Sequence, residues 1–277
     1  MTMRRQISIG LFLCLTVAAS TSAQSGSAVP SVETVLARMA QARADNRARF
    51  RSYVVTRDYT LFGGDKSKSK AEVTAEVTFV PPNSKKFSIQ HSSGSGMGEK
   101  LVRRMLEGET EIVKDYGSTD ISPDNYDFHF VGEELVDNQR CYVLTLLPKR
   151  KQKTLLRGKM WVDANSSLLR RIEAEPAKGP SWWLRDVRIT FSYGDVGGMW
   201  LQTASEFTTN VRLVGQHTIT SRDVRYEPVE LVGAERLEPR TLLQSNNDEQ
   251  QRCSGPCIPV LLNGIQPGGK AYPYETR

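Results

Sequence analysis

Residues 149–175 read KRKQKTLLRGKMWVDANSSLLRRIEAE. Met160, Trp161 and Val162 belong to an extended run, Asp163-Ala164-Asn165-Ser166 supplies turn residues, and Leu168 to Glu173 resumes the extended pattern. Two such runs around a polar turn predict a β-hairpin. Tyr142-Val143-Leu144-Thr145-Leu146 predicts a strand just before it. Between them lies a basic run, Pro148-Lys149-Arg150-Lys151-Gln152-Lys153. It reads as a solvated hairpin tip or as a contact for anionic lipid headgroups or an acidic partner.

Downstream of this hairpin the spacing predicts strands around 185–194, 199–211 and 214–227, with a turn at Gly194 to Gly198. Upstream, strands are expected around 128–136 and 140–147, the hairpin itself taking 155–163 and 168–175. Earlier still, Val73, Ala75, Val77 and Phe79 alternate with Glu72, Thr74, Glu76 and Thr78, which puts one face in the core and one in water. Tyr53, Val55, Tyr59 and Leu61 share a face of the strand before it. Phe87 and Ile89 begin a third strand after Pro81-Pro82-Asn83. Two helices interrupt this pattern. Val32, Val35, Leu36 and Met39 recur at helical spacing behind an N-cap at Ser31, predicting a helix over 32–48. Met97, Leu101, Val102, Met105 and Leu106 predict another over 97–108, approached through a Gly/Ser spacer at 92–98.

The chain ends reduce the folding unit. Arg4 and Arg5, the apolar run Ile7 to Ala19 and the small residues Thr21-Ser22-Ala23 are read as a signal peptide, 1–23, cleaved after Ala23. Cys14 lies inside the apolar run and is not set in a lipobox, so no N-terminal lipid anchor is expected. Residues 24–30 form a linker, 31–238 one domain, and 239–277 a loosely ordered tail rich in Pro, Gly, Gln and Asn. The tail should be removable without unfolding the domain. Lys and Arg number 37 against 31 Asp and Glu. That mild excess, in an exported chain, does not suggest nucleic acid as a partner. Export permits disulfides. Cys253 and Cys257 either close a small loop or remain free thiols, and Cys141 is expected buried and inert.

Few residues point to chemistry. His91, His129 and His217 lack a second histidine at metal-ligating spacing, and no serine-nucleophile, zinc-protease or phosphate-loop motif occurs. The expectation is therefore a non-catalytic protein without metal or cofactor. Arg57 lies on an otherwise apolar strand face, either at a solvent-reaching end or as a polar anchor inside a cavity. Trp182-Trp183 should place one ring inside and one at a rim.

The order of elements resembles the LolA/LolB-like superfamily of periplasmic lipoprotein carriers, which includes outer-membrane lipoprotein-sorting proteins and RseB-like stress sensors. The likeness spans roughly Ser31 to Glu230. It rests on that order, on the strand exit Phe79-Val80-Pro81-Pro82-Asn83, and on Gly158-Lys159-Met160-Trp161-Val162-Asp163. The resemblance implies a mainly β (α+β) fold, a strongly curved antiparallel half-barrel whose concave side is covered by helices. It implies a cavity for acyl chains, lined here by Val55, Arg57, Tyr59, Val77 and Phe79. Met97, Leu101 and Met105 would form a movable lid, with Trp161 and Trp182 completing the apolar lining. In the lipoprotein carrier an Arg-Pro strand exit supplies the arginine that latches the lid. Pro81-Pro82 departs from that pattern. The expected function is a periplasmic carrier or sensor of lipid or lipoprotein acyl chains. It would act as a monomer, touch membrane surfaces transiently, and have an envelope membrane protein as a candidate partner. An envelope interaction protein with a self-filled cavity is the alternative, and a hydrolase stands third.

Overall fold

The structure, a computed structural model, describes residues 29–113, 117–179 and 181–229. The stretch 1–23 read as a signal peptide, most of the 24–30 stretch, residues 239–277 and the Cys253–Cys257 pair lie outside the described residues.

Ser31 accepts the backbone N–H of Thr34 at 3.2 Å and caps α1 (Val32–Ala48), with Glu33 in the first turn. Three strands follow: β1 (Tyr53–Phe62), β2 (Ser69–Val80) and β3 (Ser84–Gly94). After α2 (Gly96–Ile112) come β4 (Tyr126–Asp127), β5 (Phe130–Val136), β6 (Gln139–Pro148) and β7 (Leu156–Asp163). The last four are β8 (Leu169–Pro176), β9 (Leu184–Val196), β10 (Met199–Val211) and β11 (Gly215–Pro228). All join one curved, open, antiparallel sheet in the order β3-β2-β1-β11-β10-β9-β8-β7-β6-β4, with β5 on β6. Neighbours are sequence-adjacent except in two places, the short β4 on β6 and one long-range closure. The first strand pairs with the last, from Tyr53 opposite Pro228 to Phe62 opposite Thr218. This pairing turns two meanders into a single sheet.

Alternation decides which face is covered. Ala71, Val73, Ala75, Val77 and Phe79 of β2 are buried beneath α2, as are Val55, Tyr59 and Leu61 of β1. Val35 and Met39 of α1 join the same core as Val102, Met105 and Leu106 of α2. Both helices therefore cover one side of the sheet, as the half-barrel expectation required. The hairpin at 156–176 forms as read. Asp163 Oδ1 accepts the backbone N–H groups of Asn165 (3.0 Å) and Ser166 (2.8 Å), while Oδ2 accepts Arg170 Nε at 2.6 Å. Burial pushes this carboxyl up, but those donors outweigh it and hold it below the usual carboxylate range.

The Gly/Ser stretch before α2 is not a spacer. Ser92, Ser93 and Gly94 pair with Val73, Glu72 and Ala71, so only Ser95 separates strand from helix. Small polar residues suggested a flexible link, but the backbone hydrogen bonds of an edge strand do not depend on side chains. At the helix start, an added Cβ on Gly98 would lie 2.3 Å from Ala71 Cβ. Glycine there lets α2 dock directly on the sheet. The helix also runs on to Ile112, past the expected end at 108.

Candidate ligand-binding cleft

The face under the helices holds an unusual buried charge. Arg57 is 6% exposed and stands between Val55 and Tyr59 on the apolar face of β1. Its Nη1 donates to both oxygens of Glu109 at 3.2 Å, and its Nε donates to Asp223 Oδ1 at 2.5 Å. Lys85 Nζ donates to Glu109 Oε2 at 2.5 Å. Three elements supply the partners: β3 gives Lys85, α2 gives Glu109, and β11 gives Asp223. A bulge in the β1–β11 pairing takes the register from Thr56 opposite Arg225 to Arg57 opposite Asp223, passing over Val224. That shift sets the carboxylate beside the guanidinium.

Electrostatics follow from burial and pairing. Burial works against the Arg57 charge, yet Tyr59, Glu109 and Asp223 hold its pKa above the ordinary arginine value. Burial likewise pushes Glu109 up, but Lys85 and Arg57 outweigh it and keep the carboxyl below its usual range. For Asp223 burial wins over Arg57 and the pKa is raised. Burial also pushes the Tyr59 hydroxyl up to about 12, with Arg57 opposing.

This network floors a cleft of about 150 Å³ between the C-terminal half of α1 and the sheet. Met39, Phe50, Tyr53, Phe79, Leu169 and Trp200 supply most of its apolar wall. The side chain of Asn46 ties α1 to β10, accepting Trp200 N–H at 2.7 Å and donating to Trp200 O at 2.9 Å. Arg43 donates to Asp120 Oδ1 and Ile121 O, both at 2.9 Å. Burial raises the Asp120 pKa, against the pull of Arg43.

The residues singled out from sequence separate into two groups. Val55, Arg57, Tyr59, Val77, Phe79 and Met105 are buried on the covered face, and Leu101 packs half-buried against the same core. Three others lie elsewhere. Met97 is 69% exposed, because the neighbouring Gly98 is what contacts the sheet. Trp161 is on the opposite sheet face with Cys141 and Val143, donating Nε1–H to Glu134 at 2.9 Å. Met160 and Val162 point inward, so the residue between them must point outward. Trp182 is 76% exposed, while Trp183 is buried. Cys141 is a buried free thiol whose pKa burial pushes up to about 11.

The partners of Arg57 were missed, although a signal existed. Val102, Met105, Leu106 and Ile112 mark the buried stripe of α2, and Glu109 falls on that stripe. A carboxylate on an apolar helix face announces a buried cation across from it.

Among curated proteins the chain has no match. A protein family described only as uncharacterized matches residues 100–230. Three solved structures illustrate the likeness of fold, each covering 74% of this chain and 96% of its own. One is an outer membrane lipoprotein-sorting protein domain from Vibrio parahaemolyticus, at 14% identity and TM-score 0.43. Another is a DUF1329 family protein from Desulfovibrio piger, at 15% and 0.41. A third is a LolA superfamily protein from Nitrosomonas europaea, at 11% and 0.37.

Proposed function

We propose that the protein is a non-catalytic, exported binding protein that receives the apolar part of a lipid-like ligand in the cleft between α1 and the sheet. It would act as a carrier or a sensor in the cell envelope. The observation that carries this reading is the cleft itself, an apolar-walled recess floored by neutralised charges. Glu109 and Asp223 direct their oxygens at Arg57 and Lys85, which leaves them engaged as anchors and not poised as bases. Reading 1–23 as an export signal and 31–238 as the binding domain belongs to the same proposal.

The volume bounds the ligand. A recess of about 150 Å³ matches engineered cavities that take benzene, and is below the roughly 300–1,000 Å³ of drug-sized sites. A whole acyl chain needs a wider opening. α2 is held at both ends, by Gly98 on Ala71 and by Glu109 on Arg57 and Lys85. Widening therefore falls to the α1 side, where Asn46 and Arg43 make the attachments.

The test is uptake of a fluorescent fatty acid by the wild type and by Gln202→Trp, which sets a large ring against the lip of the cleft. Wild-type uptake at micromolar affinity, weakened about tenfold or more in the variant, supports the reading. Absence of uptake by the wild type overturns it. The second reading, an interaction protein whose interior is filled by its own side chains, then takes its place. The smallness of the cleft is what favours that alternative.

A further inference from the structure

Far from the cleft, at the other end of the sheet, the molecule carries a cluster of apolar side chains that folding does not use. Trp182 is 76% exposed, Leu213 102% and Val214 64%. Two turns bring them together. Val211 pairs with Leu184, the Arg212 N–H donates to Trp183 O at 2.9 Å, and the Arg212 guanidinium lies 5.5 Å from the Trp182 ring centroid. Leu213 has φ 71°, a left-handed conformation that a bulky side chain adopts at a cost and that turns normally give to glycine or asparagine. A leucine held there, wholly in water, gains nothing from the core.

The surroundings define a partner. Lys178, Arg185 and Arg212 flank the tip and are exposed, and Lys68 and Lys70 stand at the neighbouring end of the β1–β2 hairpin. Acids at this end include Asp186 beside Arg185, Glu206 paired with Lys66, Asp65 bonded to Ser67 and Glu72 bonded to Ser69. Cations are in excess. We propose that this tip docks the protein on an anionic phospholipid bilayer, with Trp182, Leu213 and Val214 entering the headgroup region and the lysines and arginines meeting lipid phosphates. The chemistry fits a membrane. The tip projects from two turns and so suits a penetrable surface, tryptophan favours the boundary between headgroups and hydrocarbon, and each cation near an anionic surface adds attraction. Just inside the tip, Leu184 opens onto an apolar crevice of about 50 Å³ beneath Leu101 of α2. If the ligand is lipid, as proposed above, this crevice continues the apolar surface from the bilayer toward the core.

The experiment is co-sedimentation of the full-length protein with phosphatidylcholine vesicles, with and without phosphatidylglycerol. Wild type is expected on the phosphatidylglycerol vesicles, and less so as salt rises. Trp182→Ser with Leu213→Ser should weaken binding roughly tenfold or more, with an unchanged thermal midpoint because both side chains are exposed. Lys178→Gln and Arg185→Gln should each weaken it by about fivefold. Fatty-acid uptake in the absence of vesicles should stay at the wild-type level in all these variants, which separates docking from the ligand reading. Wild type that ignores anionic vesicles, or a double serine variant that binds them as wild type does, overturns the proposal. So does self-association of the wild type that Leu213→Ser abolishes, which would assign the tip to a second copy of the chain.

Discussion

Replacing Arg57 by methionine is expected to lower the unfolding free energy by about 3–5 kcal/mol at neutral pH, the usual cost of removing one partner from a buried ion cluster. Methionine keeps most of the apolar stem, so the loss reports charge more than volume. In the variant Lys85 still faces Glu109, but Asp223 loses the guanidinium hydrogen-bonded to it. Its carboxyl, already raised by burial in the wild type, rises further. A raised carboxylate pKa means that stability is present at low pH and is lost as pH rises through the folded value. In the wild type Glu109 acts in the opposite sense. Its lowered pKa contributes stability above the unfolded value of about 4.3 that disappears as pH falls through the folded one. Urea unfolding across pH 4 to 8 should therefore show wild type and Arg57→Met far apart at the top of the range and converging toward the bottom. A gap that stays constant with pH would place the cost in lost packing and would remove the electrostatic account of how α2 is fastened to β1 and β11.

Period-two alternation made the sheet legible. The β2 pattern, with valine, alanine and phenylalanine on one face and glutamate and threonine on the other, leaves no choice of orientation once one face is buried. Ser31 and the Val35–Met39 spacing fixed α1 for the same kind of reason. What stayed hidden depended on distant pairing. Asp223 lies 166 positions from Arg57 and meets it only because β11 returns to β1 with a bulge at that point. Trp161 was assigned to the lining, but Met160 and Val162 beside it face the core, and a strand turns alternate residues to opposite faces. The spacer before α2 was misread because Ser and Gly identify what a side chain will not do and are silent on what the backbone will pair with. The Trp182–Leu213 tip shows the same division. The tryptophan pair was visible in the sequence, but the exposure of one ring beside a leucine on the next hairpin appears only when β9 and β10 are set side by side.

Gly158→Val should be among the costliest single changes in the sheet, at least about 3 kcal/mol, although valine favours strands and glycine does not. The reason is the packing of the 156–176 hairpin. Gly158 faces Ala174 across the β7–β8 pairing, and a Cβ placed on it would sit 2.1 Å from Glu173 O and 2.6 Å from Ala174 Cα. Those are backbone atoms, so no rotamer change relieves the clash and the two strands must separate. Gly194 in β9 supplies the control. A Cβ there meets only Thr203 Cγ2, at 3.5 Å, an ordinary contact. Gly194→Val should cost less than about 1 kcal/mol or even stabilise, through strand propensity. Urea midpoints of the two variants measured together decide the matter, and equal effects would mean that the close approach of β7 to β8 is not what glycine provides at 158. The consequence reaches the cleft. The same hairpin carries Leu168 and Leu169 to the cleft wall, with Leu169 held opposite Val162. A folded but splayed Gly158→Val protein should therefore lose fatty-acid uptake together with stability, while Gly194→Val retains both.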